Sequence, residues 1–403
     1  MRQDFLKYQA QTTPYPLGME VSHAIGSYIY DTDGKKYLDF VAGVSACTLG
    51  HQHPRVKKAI VDQLDKYLHV MVYGEYAQDP AVKLCKLLAE NMPPELNKTY
   101  LINSGTEAIE GALKLARRVT GRSQLISCHN AYHGNTMGSM SVMGFEERKQ
   151  IFRPLIPDVD FITFNNEEDI LKITTKTAGI ILETIQGGAG FIKPENDFLK
   201  KVRQRCTEVG ALMILDEIQP GFGRTGKLFG FQHYDVVPDV VVMGKGMGGG
   251  MPVGAFTASE KHMDLLSHDP VLGHITTFGG HPVIAAACLA TLQELLETDL
   301  MQRAREKEFL FRQLLLHPLI LEIRGQGLML AAMTESPEIT NKVILKCQDK
   351  GLILFWLLFE ACAIRITPPL TISCEEIIEG CGIILEAMNE AYSELNIKTE
   401  FNN

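Results

Sequence analysis

The sequence predicts an α/β protein: a large domain with a mostly parallel central sheet, and a smaller α+β domain built from both chain ends. The chain has 403 residues, of which 45% are hydrophobic, enough for a large core in two or three folding units. Between about residues 99 and 256, short runs rich in Ile, Leu and Val alternate with segments of helical character. Such runs are typical of strands buried on both faces of a parallel sheet. The two flanks lack this alternation.

The elements can be assigned in chain order. Residues 20–40 predict short strands around an Asp33-Gly34 turn, and Pro54 is placed to begin a helix. The central strands are predicted at residues 99–102, 124–127, 179–182, 212–215 and 239–243. Further strands are predicted at 328–333, 352–358 and 363–367, and a last helix opens at Ser373 with Glu376 in capping-box spacing. We expect residues 1–50 and 291–403 to form the small domain and 51–290 the large one.

Composition excludes several classes of function. The net charge is −9 and the pI is about 5.8, so nucleic acid and anionic membranes are disfavoured as partners. The longest apolar run, residues 352–359, has eight residues, and a membrane span needs roughly 18 to 20. The first residues do not resemble a secretory signal, so a cytoplasmic location is expected. Nine cysteines without CxxC pairs argue against disulfides and structural zinc.

Polar residues follow each of the central strands. Ligands of an open parallel sheet bind beyond the carboxyl ends of its strands, so these turns are where a site is expected. Caps and turns explain one or two such segments, but a succession that includes acids, amides, an aromatic residue and a lysine favours a common site. The five segments are 103–107, 130–134, 183–187, 216–219 and 244–246.

Lys245 and Asp216 carry the main chemical hypothesis. Lys245 follows an apolar run and lies among glycines. Most lysines are simply surface residues, but a desolvated amine can form a Schiff base with a carbonyl cofactor. A pyridine ring that serves as an electron sink needs an acid to keep its nitrogen protonated. Asp216, at the end of its own strand, could supply that acid, although a helix N-cap explains it equally well.

The segment Ser104-Gly105-Thr106 precedes a helix with apolar residues at spacings of three and four. Free backbone N–H groups at such a helix start can bind a phosphate, and Gly105 would allow close approach. Because serine and threonine cap most helices, this signal is weak by itself. Tyr132 follows the next strand and offers a face for a flat ring, although a lone tyrosine is more often part of the core.

Two motifs point elsewhere. Residues 244–249 match G-x-G-x-x-G after a strand, which indicates dinucleotide binding only when a helix follows. The next residues are turn and strand formers, so a nicotinamide-dependent oxidoreductase is disfavoured. His51 and His53 could be imagined as metal ligands, but no third ligand stands at suitable spacing, and no metal is expected.

A series of motifs runs over nearly the whole length of the chain: Asp39-Phe-Val-Ala-Gly-Val, Leu49-Gly-His-Gln-His-Pro54, Asn103-Ser-Gly-Thr-Glu-Ala108, Tyr132-His-Gly134, Glu183-Thr-Ile-Gln-Gly187, Asp216-Glu-Ile-Gln219, Gly223-Arg-Thr-Gly226, residues 244–255, Thr276-Thr-Phe-Gly-Gly280 and residues 364–370. With these motifs the chain resembles the class III aminotransferases of the ornithine and acetylornithine type, which are pyridoxal-phosphate enzymes of fold type I.

The resemblance implies a role for each matching residue. Lys245 would hold pyridoxal phosphate as an internal aldimine and then move the proton between substrate Cα and the cofactor. Asp216 would pair with the pyridinium nitrogen, Gln219 would bind the ring hydroxyl, and Tyr132 would stack on the ring. The implied cofactor-binding residues are Ser104, Gly105, Thr106, Tyr132, His133, Glu183, Asp216, Gln219, Lys245 and Thr277.

The family also implies a homodimer whose subunits share the active site. Thr277 would complete the phosphate site of the partner, and Arg365 would bind the substrate α-carboxylate through a bidentate pair. Two positions depart from the ornithine-type pattern: Asn135 replaces an arginine that helps to hold the distal carboxylate of 2-oxoglutarate, and Gly188 replaces a glutamate that masks the carboxylate-binding arginine.

The sequence therefore predicts a homodimeric aminotransferase that moves an amino group from an amine or amino acid to a 2-oxo acid. Donors like ornithine, acetylornithine or 4-aminobutyrate are implied by the family, although Asn135 and Gly188 argue against the first two and favour monocarboxylic acceptors. The alternatives are an aminomutase or a decarboxylating transaminase of the dialkylglycine type. A cofactor-binding regulator without turnover is disfavoured because Lys245, Asp216 and Arg365 are all present.

Overall fold

The structure is a computed structural model and describes residues 1–401 of the chain. Its strands, in chain order, are β1 Val21–Ile25, β2 Tyr28–Asp31, β3 Lys36–Asp39, β4 Lys98–Ile102, β5 Gln124–Cys128, β6 Val159–Ile162, β7 Thr177–Glu183, β8 Leu212–Asp216, β9 Val240–Gly244, β10 Gly254–Ala258, β11 Glu322–Gln326, β12 Met329–Met333, β13 Leu352–Ile353, β14 Phe355–Trp356 and β15 Ala363–Ile366. Its α-helices are α1 Arg2–Tyr8, α2 Ala42–Ser45, α3 Pro54–Leu64, α4 Asp79–Glu90, α5 Gly105–Thr120, α6 Met137–Ser141, α7 Phe198–Val209, α8 Glu260–Met263, α9 Pro282–Glu297, α10 Leu300–Leu314, α11 Pro337–Asp349 and α12 Cys374–Phe401.

The central sheet has seven strands in the order β4-β10-β9-β8-β7-β5-β6. Strands β9, β8, β7, β5 and β6 are parallel to their neighbours, and β10 is antiparallel to both β4 and β9. Every residue of β7, β8 and β9 is buried, because hydrophobic clusters cover both faces of the sheet. The predicted mostly parallel sheet is confirmed.

Two smaller sheets are built from the flanks. One has the order β1-β2-β3-β13, and the other has the order β11-β12-β15-β14. Strand β13 pairs in parallel with β3, so the two ends of the chain share a sheet, as predicted. The proposed domain boundaries after residues 50 and 290 remain predictions.

The prediction of one strand over residues 352–358 is wrong. The segment forms two strands of two residues each, and these belong to different sheets. Continuous apolar sequence suggested a strand buried on both faces, but Phe355 and Leu358 are 40% and 38% exposed. Part of this apolar run lines a cavity. The periodicity of the sequence cannot distinguish residues that line a cavity from residues that are buried inside a sheet.

The other local predictions are confirmed. Helix α3 begins with Pro54 in its first turn. Ser373 and Glu376 exchange hydrogen bonds at the start of α12, with Ser373 N–H donating to the Glu376 carboxylate at 2.8 Å and Glu376 N–H donating to Ser373 Oγ at 3.1 Å. Residues 245–248 form one 3₁₀ turn and then continue to β10, so the helix that dinucleotide binding requires is missing there. Across residues 1–401, the helices are too short or too polar to cross a membrane.

Candidate active site

The carboxyl ends of the parallel strands surround a cavity of 460 Å³. Glu183, Asp216 and Val242 lie side by side in register on β7, β8 and β9, so the residues just beyond them meet at one edge of the sheet. Strand β15, from the sheet β11-β12-β15-β14, contributes Arg365 to the wall of the cavity. Nine predicted site residues line it, namely Gly105, Thr106, Tyr132, His133, Glu183, Asp216, Gln219, Lys245 and Arg365.

Lys245 follows β9 directly and has a backbone φ of +41°. This left-handed conformation is unfavourable for a lysine and is typical of functional sites that hold strain. Burial lowers the pKa of Lys245, and the negative charge of Asp216 opposes that effect. At a given pH, a larger fraction of this amine is therefore in the neutral, nucleophilic form than for the amine of a surface lysine.

Asp216 ends β8 and is 3% exposed. Its Oδ2 lies 2.8 Å from His133 Nδ1, and its Oδ1 accepts a hydrogen bond of 3.0 Å from the Ile218 N–H. The carboxylate is thus fixed in orientation from two sides. His133 Nε2 is buried without a hydrogen-bond partner in the described part of the chain. A buried carboxyl group held in this orientation is suited to pair with a cationic ring nitrogen.

The start of helix α5 forms one wall of the cavity. Ser104 is the N-cap and accepts a hydrogen bond from the Glu107 N–H, while Gly105 and Thr106 line the cavity. A Cβ at Gly105 would lie 2.8 Å from Ile218 Cδ1, so a larger residue here would require the Ile218 side chain to move. The free N–H groups of the first helical turn and the positive end of the helix dipole suit a phosphate group.

Glu183 supports the loops around the cavity. It accepts hydrogen bonds from the Tyr132 N–H at 3.2 Å and the Gly187 N–H at 3.0 Å. Burial raises the pKa of Glu183 to about 7, and the nearby His133 opposes the shift. These contacts place Tyr132 and the loop of Gly187 against the cavity. Gln219 Nε2 is also buried without a partner among the described residues.

Arg365 enters the cavity from β15, where it pairs with Ala331 on one side and Phe355 on the other. It is 4% exposed, and burial lowers its pKa to about 10. The guanidinium lies 5.6 Å from the Phe191 ring. Within residues 1–401, its Nε and Nη1 have no hydrogen-bond partner. A buried cation with unpartnered N–H donors is a site for a carboxylate.

Two predicted residues lie outside this cavity. Ser104 acts as the helix cap, and Thr277 lies in an exposed loop. Asn135 lines the cavity and is exposed, and Gly188 is also part of the lining. From the sequence, side-chain selectivity was expected to depend on Tyr15, Cys47 and the residues near Trp356; Phe355, Trp356 and Leu358 line the cavity, whereas Tyr15 and Cys47 are not part of its lining. Sequence reasoning missed the apolar lining residues Val44, Ile218 and Pro220.

The two histidines considered as metal ligands have other partners. His51 Nε2 lies 2.9 Å from Asp39 Oδ2, and His53 Nε2 lies 3.8 Å from Glu294. Residues 1–401 contain no group of three His, Cys, Asp or Glu side chains placed to hold a metal ion.

The fold and this cavity define a class of enzyme that uses a flat, phosphate-bearing carbonyl cofactor. Four features together fit pyridoxal phosphate: a lysine with a lowered pKa, an acid for a ring nitrogen, a helix start for a phosphate, and unpartnered buried polar atoms at His133 and Gln219.

Comparison with known proteins gives the family. Residues 8–388 match the model of the class III aminotransferases, so the chain belongs to this family, and its enzymes use pyridoxal phosphate. An acetylornithine aminotransferase from Clostridium acetobutylicum is 38% identical over 90% of this chain and 94% of that protein. A [LysW]-aminoadipate semialdehyde/glutamate semialdehyde transaminase from Sulfolobus acidocaldarius is 33% identical over 92% of this chain and 95% of that protein.

Solved structures agree with the family. The ornithine aminotransferase from Toxoplasma gondii, in a structure with partial occupancy of pyridoxal phosphate at the active site, has a TM-score of 0.90 and 30% identity. The match covers 98% of this chain and 95% of that one. The predicted family, fold and cofactor are therefore confirmed.

Proposed function

We propose that this aminotransferase carries its cofactor on Lys245 and transfers an amino group from an amino-acid or amine donor to a 2-oxo acid bound by Arg365. The observation that carries the proposal is the position of Arg365. Its buried guanidinium has two unpartnered donors and lines the same cavity as Lys245. A substrate carboxylate on Arg365 can therefore bring its Cα and amino group within reach of the lysine.

Pyridoxal phosphate supplies an electron sink when bound, which allows the substrate Cα to lose a proton. In our proposal the Gly105 and Thr106 N–H groups would bind the phosphate, Tyr132 would contact the ring, and Asp216, held in orientation by His133, would pair with the ring nitrogen.

Lys245 would act as the base that removes the proton from the substrate Cα. Its lowered pKa favours the neutral amine that acts as this base. Arg365 orients the substrate through its carboxylate so that the Cα–H bond faces Lys245.

The homodimer belongs to the same proposal. The loop that holds Thr277 lies on the surface with Ile275 and Phe278 exposed, which supports a contact with a second subunit. We expect Thr277 to bind the partner's phosphate. Thr277→Ala should weaken cofactor retention without dissociating the dimer, and a fully active monomer at high dilution would contradict this proposal. The cytoplasmic location remains a prediction from the sequence.

The attachment site is tested by borohydride reduction of the purified enzyme followed by peptide mass spectrometry. The cofactor should be found on Lys245. Lys245→Ala should lose the visible absorption of the attached cofactor and nearly all transamination, while Lys261→Ala, on the exposed start of α8, should retain both. Modification of another lysine would refute the assignment.

A further inference from the structure

The part of the cavity beyond the substrate carboxylate is largely apolar. Apart from the residues assigned to the cofactor and to the carboxylate, the wall includes the polar Asn135 and the apolar residues Val44, Phe355, Trp356 and Leu358. Val44, Phe355 and Leu358 are 37%, 40% and 38% exposed, so each presents apolar surface that a ligand can cover. Burial of this surface under an apolar group would be favourable.

Phe355 lies next to the proposed carboxylate site. It pairs directly with Arg365 across β14 and β15, and directly opposite residues of paired strands project from the same face of the sheet. A substrate held by Arg365 would therefore lie beside the Phe355 ring.

Gly188 extends this apolar wall. A Cβ at Gly188 would lie 2.8 Å from Phe359 Cδ2, so the ring packs where a side chain at residue 188 would begin. The Phe359 N–H donates to the Gly188 carbonyl at 3.0 Å, and the ring stacks on Phe145 with centroids 4.6 Å apart. The missing side chain at 188 is thus replaced by an aromatic ring that is held in place.

The charged lining residues leave no partner for a second charge on the substrate. Asp216 is bonded to His133 and the Ile218 N–H, and Glu183 accepts from two backbone N–H groups. The lysine and arginine side chains of the described lining are Lys245 and Arg365. Arg148, which is not part of this lining, donates to the Leu358 carbonyl at 3.2 Å and lies 5.7 Å from the centre of the Phe359 ring. A distal ammonium or carboxylate would therefore leave water without a free charged partner among the described lining residues.

We propose that the preferred donors are amino acids with an uncharged, apolar side chain of several carbons, and that the acceptors are their 2-oxo acids or pyruvate. This inference rests on the proposed function, because it places the α-carboxylate on Arg365. It assigns substrate specificity to Phe355, Leu358 and the contact between Gly188 and Phe359.

The first test is a donor series with pyruvate as acceptor. For 2-aminobutyrate, norvaline and norleucine, kcat/KM should rise roughly fourfold with each methylene. Ornithine, which replaces the terminal methyl of norleucine with an ammonium, should be at least tenfold poorer than norleucine. Glutamate should be similarly poor. An ornithine or glutamate value above that of norleucine would overturn the proposal.

The second test measures binding without turnover, using butyrate, pentanoate, hexanoate and glutarate in calorimetric titrations of the holoenzyme. The affinity of the alkanoates should increase with chain length from butyrate to hexanoate, and hexanoate should bind more tightly than glutarate. If these ligands follow the expected order but no donor is transaminated, the proposed function fails and the apolar site stands. If transamination occurs but glutarate binds best, the proposed function stands and the apolar site fails.

Variants locate the site. Phe355→Ala should reduce the increase in kcat/KM per methylene of the donor to less than twofold. Phe309→Ala, at a 63% exposed residue of α10, should leave this increase unchanged. Leu358→Asp should narrow the preference for norleucine over ornithine by at least tenfold, because it supplies an acid to the distal ammonium. An unchanged preference in a folded Leu358→Asp enzyme would contradict the assignment.

Discussion

Replacement of Arg365 by methionine should stabilise the protein in the absence of substrate and abolish its use of carboxylate substrates. Burial lowers the pKa of Arg365 from 12.5 to about 10, which corresponds to about 3 kcal/mol of unfavourable free energy for the charged form. Methionine removes this cost but loses the contact with the Phe191 ring, worth about 1 kcal/mol. The net gain in the free energy of unfolding is about 2 kcal/mol.

The same change removes two charge-assisted hydrogen bonds from a bound carboxylate. Each is worth about 1.5 to 3 kcal/mol, so kcat/KM for an amino-acid donor should fall roughly 10²- to 10⁴-fold. Function and stability therefore move in opposite directions, as expected when a site holds a charge that only its substrate neutralises.

Thermal melts and rapid kinetics measure the two effects. With cofactor saturating, the melting temperature of Arg365→Met should rise by roughly 2 to 5 °C, and spectrophotometry of the donor half-reaction should show the loss of rate. A carboxylate inhibitor at about 100 times its Kd should stabilise the natural enzyme by about 2.7 kcal/mol but not the variant.

Arg324→Met, on strand β11 of the same sheet, serves as the control, because Arg324 is paired with Glu322 at the surface. It should change neither the melting temperature nor the rate appreciably. An Arg365→Met protein that melts below the natural enzyme, or that keeps its donor rate within threefold, would refute the reasoning.

Three further predictions concern the acceptor, the ring nitrogen and pH. Asn135→Arg should shift the ratio of kcat/KM values toward 2-oxoglutarate over pyruvate by roughly 10- to 100-fold, since it adds a charge-assisted bond to a second carboxylate; an unmodified enzyme that already favours 2-oxoglutarate a thousandfold would contradict it. Asp216→Asn should retain the cofactor by absorbance but slow turnover roughly 10²- to 10³-fold, and near-normal turnover would reduce Asp216 to a structural residue. The hydrogen bond to Asp39 raises the pKa of His51 to about 9, so the stabilisation it gives is complete below pH 6.5 and is lost as the pH rises through 9. The melting-temperature difference between the natural enzyme and His51→Asn should shrink over that window, and a difference independent of pH would exclude this linkage.

The sequence by itself determined the parallel sheet and most of the proposed cofactor site. Both depend on local signals: short apolar runs indicate buried strands, and the polar turns after them meet because parallel strands end at a common edge. Lys245, Asp216 and Tyr132 each follow such a strand, so their positions along the chain were sufficient to place them together.

Only the tertiary structure decided the part of the site that would contact the substrate side chain. Arg365 and Phe355 belong to a separate sheet, and the contact between Gly188 and Phe359 joins residues far apart in the chain. Periodicity reports whether a residue is shielded from water, but not whether a protein core or a ligand cavity shields it. The apolar run at 352–358 was therefore predicted as a buried strand, although packing between the two sheets leaves part of it as the wall of the cavity.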